Sequence, residues 1–168
     1  MQILLRIIES IENISEIVAK ISIFLLWILC LLVFALAVAL NFSYVNSQLD
    51  DFSLYCFALM ILLSFSYTLK EDRHVRLDLL KYPKNLKNIS WLLINICFIL
   101  PFSLVIAKYS FDFMMHSYSI GESSPNGKIP YYFIFKSFVV VGFILLALQS
   151  IGESLKTFCC LLHNKQKT

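Results

Sequence analysis

Few side chains in this sequence have chemical reach, and their spacing argues against catalysis. The five cysteines, Cys30, Cys56, Cys97, Cys159 and Cys160, contain no Cys-x-x-Cys pair. No cysteine and histidine combine at zinc spacing, so no thiol redox centre and no metal site is expected. Cys30, Cys56 and Cys97 lie in apolar runs, where a thiol acts as a small apolar residue. The adjacent Cys159 and Cys160 read the same way, with acylation beside a membrane as the alternative. Lys136 falls inside a long apolar stretch. An ammonium there either snorkels outward along its own stem or pairs with an acid such as Asp112, Glu122 or a partner's carboxylate. The densest polar stretch, residues 70–88, holds His74, Arg76 and Asp78. Its arginines and lysines suit anionic lipid. His74 reads as a structural donor or acceptor, and Asp78 as a cap for the next helical turn. No catalytic set and no cofactor site is expected.

The elements that position these residues follow from composition. Of the 168 residues, 59% are hydrophobic and 15% charged. A soluble domain carries about 25% charged and about 45–50% apolar residues. A chain this apolar cannot hide its surface in one soluble core of this size, and the bilayer is its simpler solvent. The net charge of +3 brings no basic, aromatic-interleaved segment, so nucleic-acid binding is not expected. Residues 1–20 carry Arg6, Glu9, Asn13, Glu16 and Lys20 at helical spacing, with Leu4, Ile7, Ile8, Ile11, Ile14 and Val18 on the other side. That amphipathic helix can lie in the membrane interface, extend the first span or dock a partner. Four apolar runs follow, at about 21–44, 52–69, 89–107 and 129–151, each near the roughly 20 residues a span needs. The first is too long for a signal-peptide core and follows three glutamates, so it reads as an uncleaved span. Asp50 and Asp51 mark a short turn, residues 108–128 a longer loop, and residues 153–168 a polar tail. Pro101 removes one hydrogen bond inside the third span. The expectation is an all-α integral membrane protein, a single membrane domain of four transmembrane helices.

Orientation follows from lysine and arginine. Two basic residues precede the first span, six occupy the second loop and three the tail, eleven in all on one side. The opposite side has Lys108 and Lys128. Both termini are therefore expected in the cytoplasm, with the chain multi-pass in the inner membrane. Spans one to three, so bounded, contain no ionisable residue other than cysteine and tyrosine, and only four glycines occur in the whole chain. Ion-coupled carriers place acids and broken helices within the bilayer. The spans thus suggest a packed bundle without a substrate pathway.

Two segments carry a family resemblance. One is Lys70-Glu71-Asp72-Arg73-His74-Val75-Arg76-Leu77-Asp78, a polar turn leading to His, aliphatic, any residue, aliphatic and acid. The other runs from Gly121-Glu122-Ser123 through Ile129-Pro130-Tyr131 to Val141-Gly142-Phe143 and Gln149. With the length and four-span layout, these resemble the small permease subunit of tripartite ATP-independent periplasmic (TRAP) transporters, the DctQ-type family. Tyr131 stands where that family often has tryptophan. The resemblance implies a structural or interface role for His74, Arg76, Asp78, Glu122, Pro130, Gly142 and Gln149. It also implies a stable complex with a large permease subunit and transient contact with a periplasmic substrate-binding protein. Sodium-coupled import of an organic anion, a dicarboxylate or a sugar acid, would then belong to the large subunit. Candidate external contacts are the Asp50–Asp51 turn and the 108–128 loop, which can equally be plain connectors. The alternatives are a self-contained four-helix exporter or a membrane assembly scaffold. A quinone-linked thiol oxidase would need external cysteine pairs, and neither external loop has a cysteine.

Overall fold

A computed structural model describes residues 2–42, 46–71 and 84–165. The regular elements there are helical: α1 (Gln2–Asn41), α2 (Ser47–Lys70), α3 (Lys84–Ile94), a π-helical turn (Asn95–Ile99), α4 (Leu100–Ile120) and α5 (Phe133–Lys165). Four stretches are long and apolar enough to cross a membrane: Arg6–Asn41, Ser47–Lys70, Asn88–Ile120 and Phe133–Leu161. The third is α3, the π turn and α4 run together.

α5 is the hub. It packs against α1, α2, α3, the π turn and α4, and α1 also packs along α2. Among the described residues the backbone of α4 stays clear of α1 and α2. The buried side chains are mostly small: Ser15, Ala19 and Ser22 on α1, Ser66 on α2, Ser103 and Ala107 on α4, Ala147 and Ser150 on α5. Large apolar residues face outward instead, among them Trp27, Phe34, Phe98 and Tyr109. That inversion suits lipid, which rewards close packing of backbones more than burial of bulk. Several of the serine hydroxyls do not need water, because they bond back to their own helix. Ser22 donates to the Val18 carbonyl (3.0 Å), Ser103 to Leu100 (2.8 Å) and Ser154 to Ser150 (2.7 Å).

Several helices run further than the hydropathy pattern suggests. α1 does not break near Lys20; at 40 residues it is about 60 Å long, twice the bilayer core. Its N-terminal half lies on the ends of α5 and α2. Ile8, Ser15, Ala19 and Ser22 form a buried seam at spacings of seven, four and three residues. Beside the seam, Glu12 accepts from Lys156 (2.8 Å) and Glu16 from Lys70 (2.6 Å). The expected polar tail after residue 153 is therefore helical to Lys165. The expected loop from Lys108 is helical to Ile120, with Lys108, Asp112 and His116 four residues apart on an exposed stripe. Gly121, at φ 62°, ends that helix: its N–H bonds Tyr118 O (3.3 Å) and the Glu122 N–H bonds Ser117 O (3.1 Å). Asp50 closes the first turn of α2 and Asp51 opens the next, after the N-cap Asn46, whose side chain accepts from Gln48 and Leu49 N–H. At Pro101 the Cys97 carbonyl loses its α-helical donor, and the π turn just before it widens the register.

Gly142 sets how near α2 comes to α5. A β-carbon there would lie 2.8 Å from Leu62 Cβ and 3.3 Å from the Leu62 carbonyl oxygen. Gly142→Val should lower stability by about 1–3 kcal/mol through overpacking. The neighbouring change Val141→Leu, on an exposed position, should leave it nearly unchanged. Thermal unfolding of both variants in one detergent checks this, and equal melting temperatures would refute the close-approach role.

Candidate functional site

The end of the bundle that carries the α1–α2 and α4–α5 connections holds the most organised polar chemistry. Asp51 is only 4% exposed, and three donors converge on its carboxylate from the 121–132 loop. Ser124 Oγ donates to it closely, Gly127 N–H at 2.8 Å and Asn126 Nδ2 at 3.3 Å. Gly127 is needed because a β-carbon would meet Gln48 Cα at 2.9 Å and Asp51 Oδ2 at 3.2 Å. Within the loop, Ser124 N–H bonds Ile129 O (3.0 Å) and Tyr132 N–H bonds Glu122 O (3.2 Å). Lys128 (φ 50°) and Tyr131 (φ 61°) take left-handed conformations that non-glycine residues rarely adopt. The Asp51 clamp holds the loop that contains them.

The second feature is Lys136, one turn into α5. Its ammonium pairs with Glu122 and sits over the rings of Phe113 (3.7 Å to the centroid) and Tyr132 (4.9 Å). Residual exposure is 8%, so the ammonium is paired and does not snorkel free. Asp112, the other candidate acid, is exposed on α4. A lysine at membrane depth costs about 2.5–3.5 kcal/mol unpaired. The carboxylate and two ring faces offset that cost. The Lys136 contact holds the Glu122 carboxyl below its ordinary value, against a smaller desolvation effect.

At the opposite end, Gln149 is buried and ties α1 to α5. Its Oε1 accepts from Ser15 Oγ (2.6 Å), and its Nε2 donates to Glu153 Oε1 (3.4 Å). One position along, Ser150 Oγ reaches the Asn95 carbonyl (3.3 Å) and side-chain oxygen (3.5 Å), joining α5 to the π turn. Asn95 Nδ2 in turn bonds Trp91 O (3.2 Å). The π turn matters here, since it places Asn95 where both of its oxygens face Ser150.

The singled-out residues therefore separate in space. Glu122 belongs to the loop clamp, Gly142 to the α2–α5 crossing and Gln149 to the α1–α5 tie. Pro130 is exposed between the two left-handed residues. His74, Arg76 and Asp78 lie outside the described residues. Asp51, read from sequence as a turn residue and a candidate external contact, is instead the loop's internal anchor; Asp50 is exposed. Ser15, Ser124 and Asn126 join these sites although no motif in the sequence marks them. The one available signal was Ser124-Pro125-Asn126-Gly127, a run of turn formers beside a carboxylate whose position in space is not local. Among the described residues, no group of three His, Cys, Asp or Glu could hold a metal ion. The arrangement fixes helices and a loop, and among the described residues it aligns no nucleophile with a base.

A family model described as tripartite ATP-independent periplasmic transporters, DctQ component, matches residues 25–160. No curated protein and no solved structure matches the chain.

Asp51→Ala should release the 121–132 loop, whereas Asp50→Ala should not. Each charge-assisted bond lost is worth about 1.5–3 kcal/mol, so amide hydrogen exchange at Gly127 should accelerate at least about tenfold. Unchanged exchange would show that the loop is held by something else. The Glu122 carboxyl, being depressed, stabilises the fold fully above its unfolded value. That contribution fades as pH falls through the lower, folded value. Glu122→Gln should flatten this acid-side loss in a melting-temperature series across pH 3–6; a series parallel to the wild type would refute the pair's role.

Proposed function

Because this chain belongs to the DctQ-component family of tripartite ATP-independent periplasmic transporters, we propose that it braces the large permease of such a transporter within the inner membrane. The chain is a multi-pass membrane component of the transport system. Its finer role is to widen and stiffen the scaffold against which the large subunit moves its solute. The observation that carries this reading is how the polar side chains at membrane depth are used. Gln149 bonds Ser15 and Glu153, Ser150 reaches Asn95, and Lys136 pairs with Glu122. A carrier must instead present such groups to a moving solute. Meanwhile the outward faces of α1 and α4 carry large apolar residues suited to lipid or a partner helix.

In this reading both termini face the cytoplasm, as the excess of basic residues at that end favours. The Asp51-clamped loop then faces the periplasm. There its exposed Pro130 and Tyr131 offer a preformed contact for a substrate-binding protein. The large subunit imports an organic anion, a dicarboxylate or sugar acid, with sodium. This chain contributes no substrate ligand and no catalytic residue. The self-contained exporter is the less favoured reading, since the buried polar groups form ties between helices.

Tagged chain should be recovered from its native membrane in mild detergent with a larger polytopic permease at near-equal amount. Recovery as a stable homo-oligomer without such a partner would overturn the subunit reading and favour the exporter. Tyr131→Ala should slow solute uptake by the reconstituted three-part system while leaving recovery of the permease unchanged. Undiminished uptake at limiting binding protein would refute the contact.

A further inference from the structure

A groove runs between α1 and α2 near the end where α1 begins. Its mouth is formed by Glu16, Lys20 and Tyr67, and its floor and walls by Ala19, Ile23, Leu26 and Met60. From Lys20 to Leu26 it descends about 9 Å along α1, at 1.5 Å per residue. Ser22 and Ser64 also line it, but neither hydroxyl faces it as a free donor. Ser22 bonds the Val18 carbonyl (3.0 Å) and Ser64 the Ile61 carbonyl (2.8 Å). Below the mouth, the groove is therefore apolar in effect as well as in composition.

The mouth has a different character. Glu16 is already paired, accepting from Lys70 Nζ at 2.6 Å across the two helices. Lys20 is exposed, feels Glu16 only at longer range, and makes no hydrogen bond or close ion pair among the described residues. The Tyr67 hydroxyl, on the facing helix, also makes no hydrogen bond among the described residues. One cation and one hydroxyl donor thus stand uncommitted above an apolar trough. The Glu16–Lys70 bridge keeps the acid from cancelling the cation.

We propose that this groove is a binding site for an anionic phospholipid, one acyl chain lying on Ile23, Leu26 and Met60 and the phosphate held by Lys20 and Tyr67. The occupant is an anionic lipid because the uncommitted charge at the mouth is positive. A zwitterionic headgroup would bring a second ammonium toward Lys20. It is a lipid because an apolar trough opening sideways between two membrane helices has acyl chains as its surrounding solvent. Bound there, the lipid fills the gap beneath the Glu16–Lys70 bridge and joins α1 to α2 where α1 leaves the membrane. The inference is independent of which permease the chain serves.

Native mass spectrometry of the full chain, purified in mild detergent and supplied with equal phosphatidylglycerol and phosphatidylethanolamine, tests it. Wild type should retain phosphatidylglycerol preferentially. Lys20→Gln should cut that preference about fivefold, the equivalent of about 1 kcal/mol per lysine near an anionic lipid surface. Ser64→Leu, which fills the groove, should reduce retention of both lipids. Lys108→Gln, removing an exposed lysine on α4, should change nothing. Equal retention of the two lipids by wild type, or a preference that survives Lys20→Gln, would overturn the proposal. So would a loss of preference in Lys108→Gln as large as in Lys20→Gln, because charge in general and not this site would then be responsible.

Discussion

The bundle depends on how closely its neighbours approach α5. In lipid, no hydrophobic force presses helix against helix, so contact must come from short-range packing and hydrogen bonds. Gly142 lets Leu62 of α2 come within what a side chain would forbid, and Gly152 allows a close approach of Ile11 of α1, where a β-carbon would stand a tight 3.1 Å from Ile11 Cγ2. Ala147, Ser150 and Ser154 continue the small-residue surface on α5. One helix can thereby gather α1, α2 and α4, although α4 keeps its backbone away from the other two.

Close approach makes the polar ties possible. Ser15 reaches Gln149 at 2.6 Å because the seam of α1 is built of small residues. Ser150 reaches Asn95 because the π turn before Pro101 redirects the asparagine and its carbonyl. Each tie satisfies groups that would otherwise be stranded without water. The two ends differ in how they are held. The end bearing the connections is locked by carboxylates, Asp51 and Glu122, gripping loop donors and Lys136. The other is held by cross-helix ion pairs, Glu12–Lys156 and Glu16–Lys70. A chain locked at both ends fits the bracing role proposed for it as a member of the DctQ-component family.

Four apolar stretches, the all-helical class and the family were legible in the sequence by itself. Partition into lipid sums over residues of one segment, and a span announces itself by length and hydropathy without reference to any other. The Glu122, Gly142 and Gln149 positions can be picked out by motif as structural or interface residues, with Glu122 one candidate acid for Lys136, but not which contacts each one makes. Helix ends are less legible: of the three readings open for residues 1–20 the structure takes the extension of the first span, α5 runs on through the polar tail against α1, and α4 continues along a polar stripe whose composition suits a loop equally well. Partner choice was decided only in three dimensions. Lys136 takes Glu122 and not Asp112, and Asp51 turns inward to Ser124, Asn126 and Gly127, 73 to 76 positions away. Hydropathy is a property of one segment, whereas an ion pair or a clamp depends on which faces of distant helices meet, and that is settled by packing around α5.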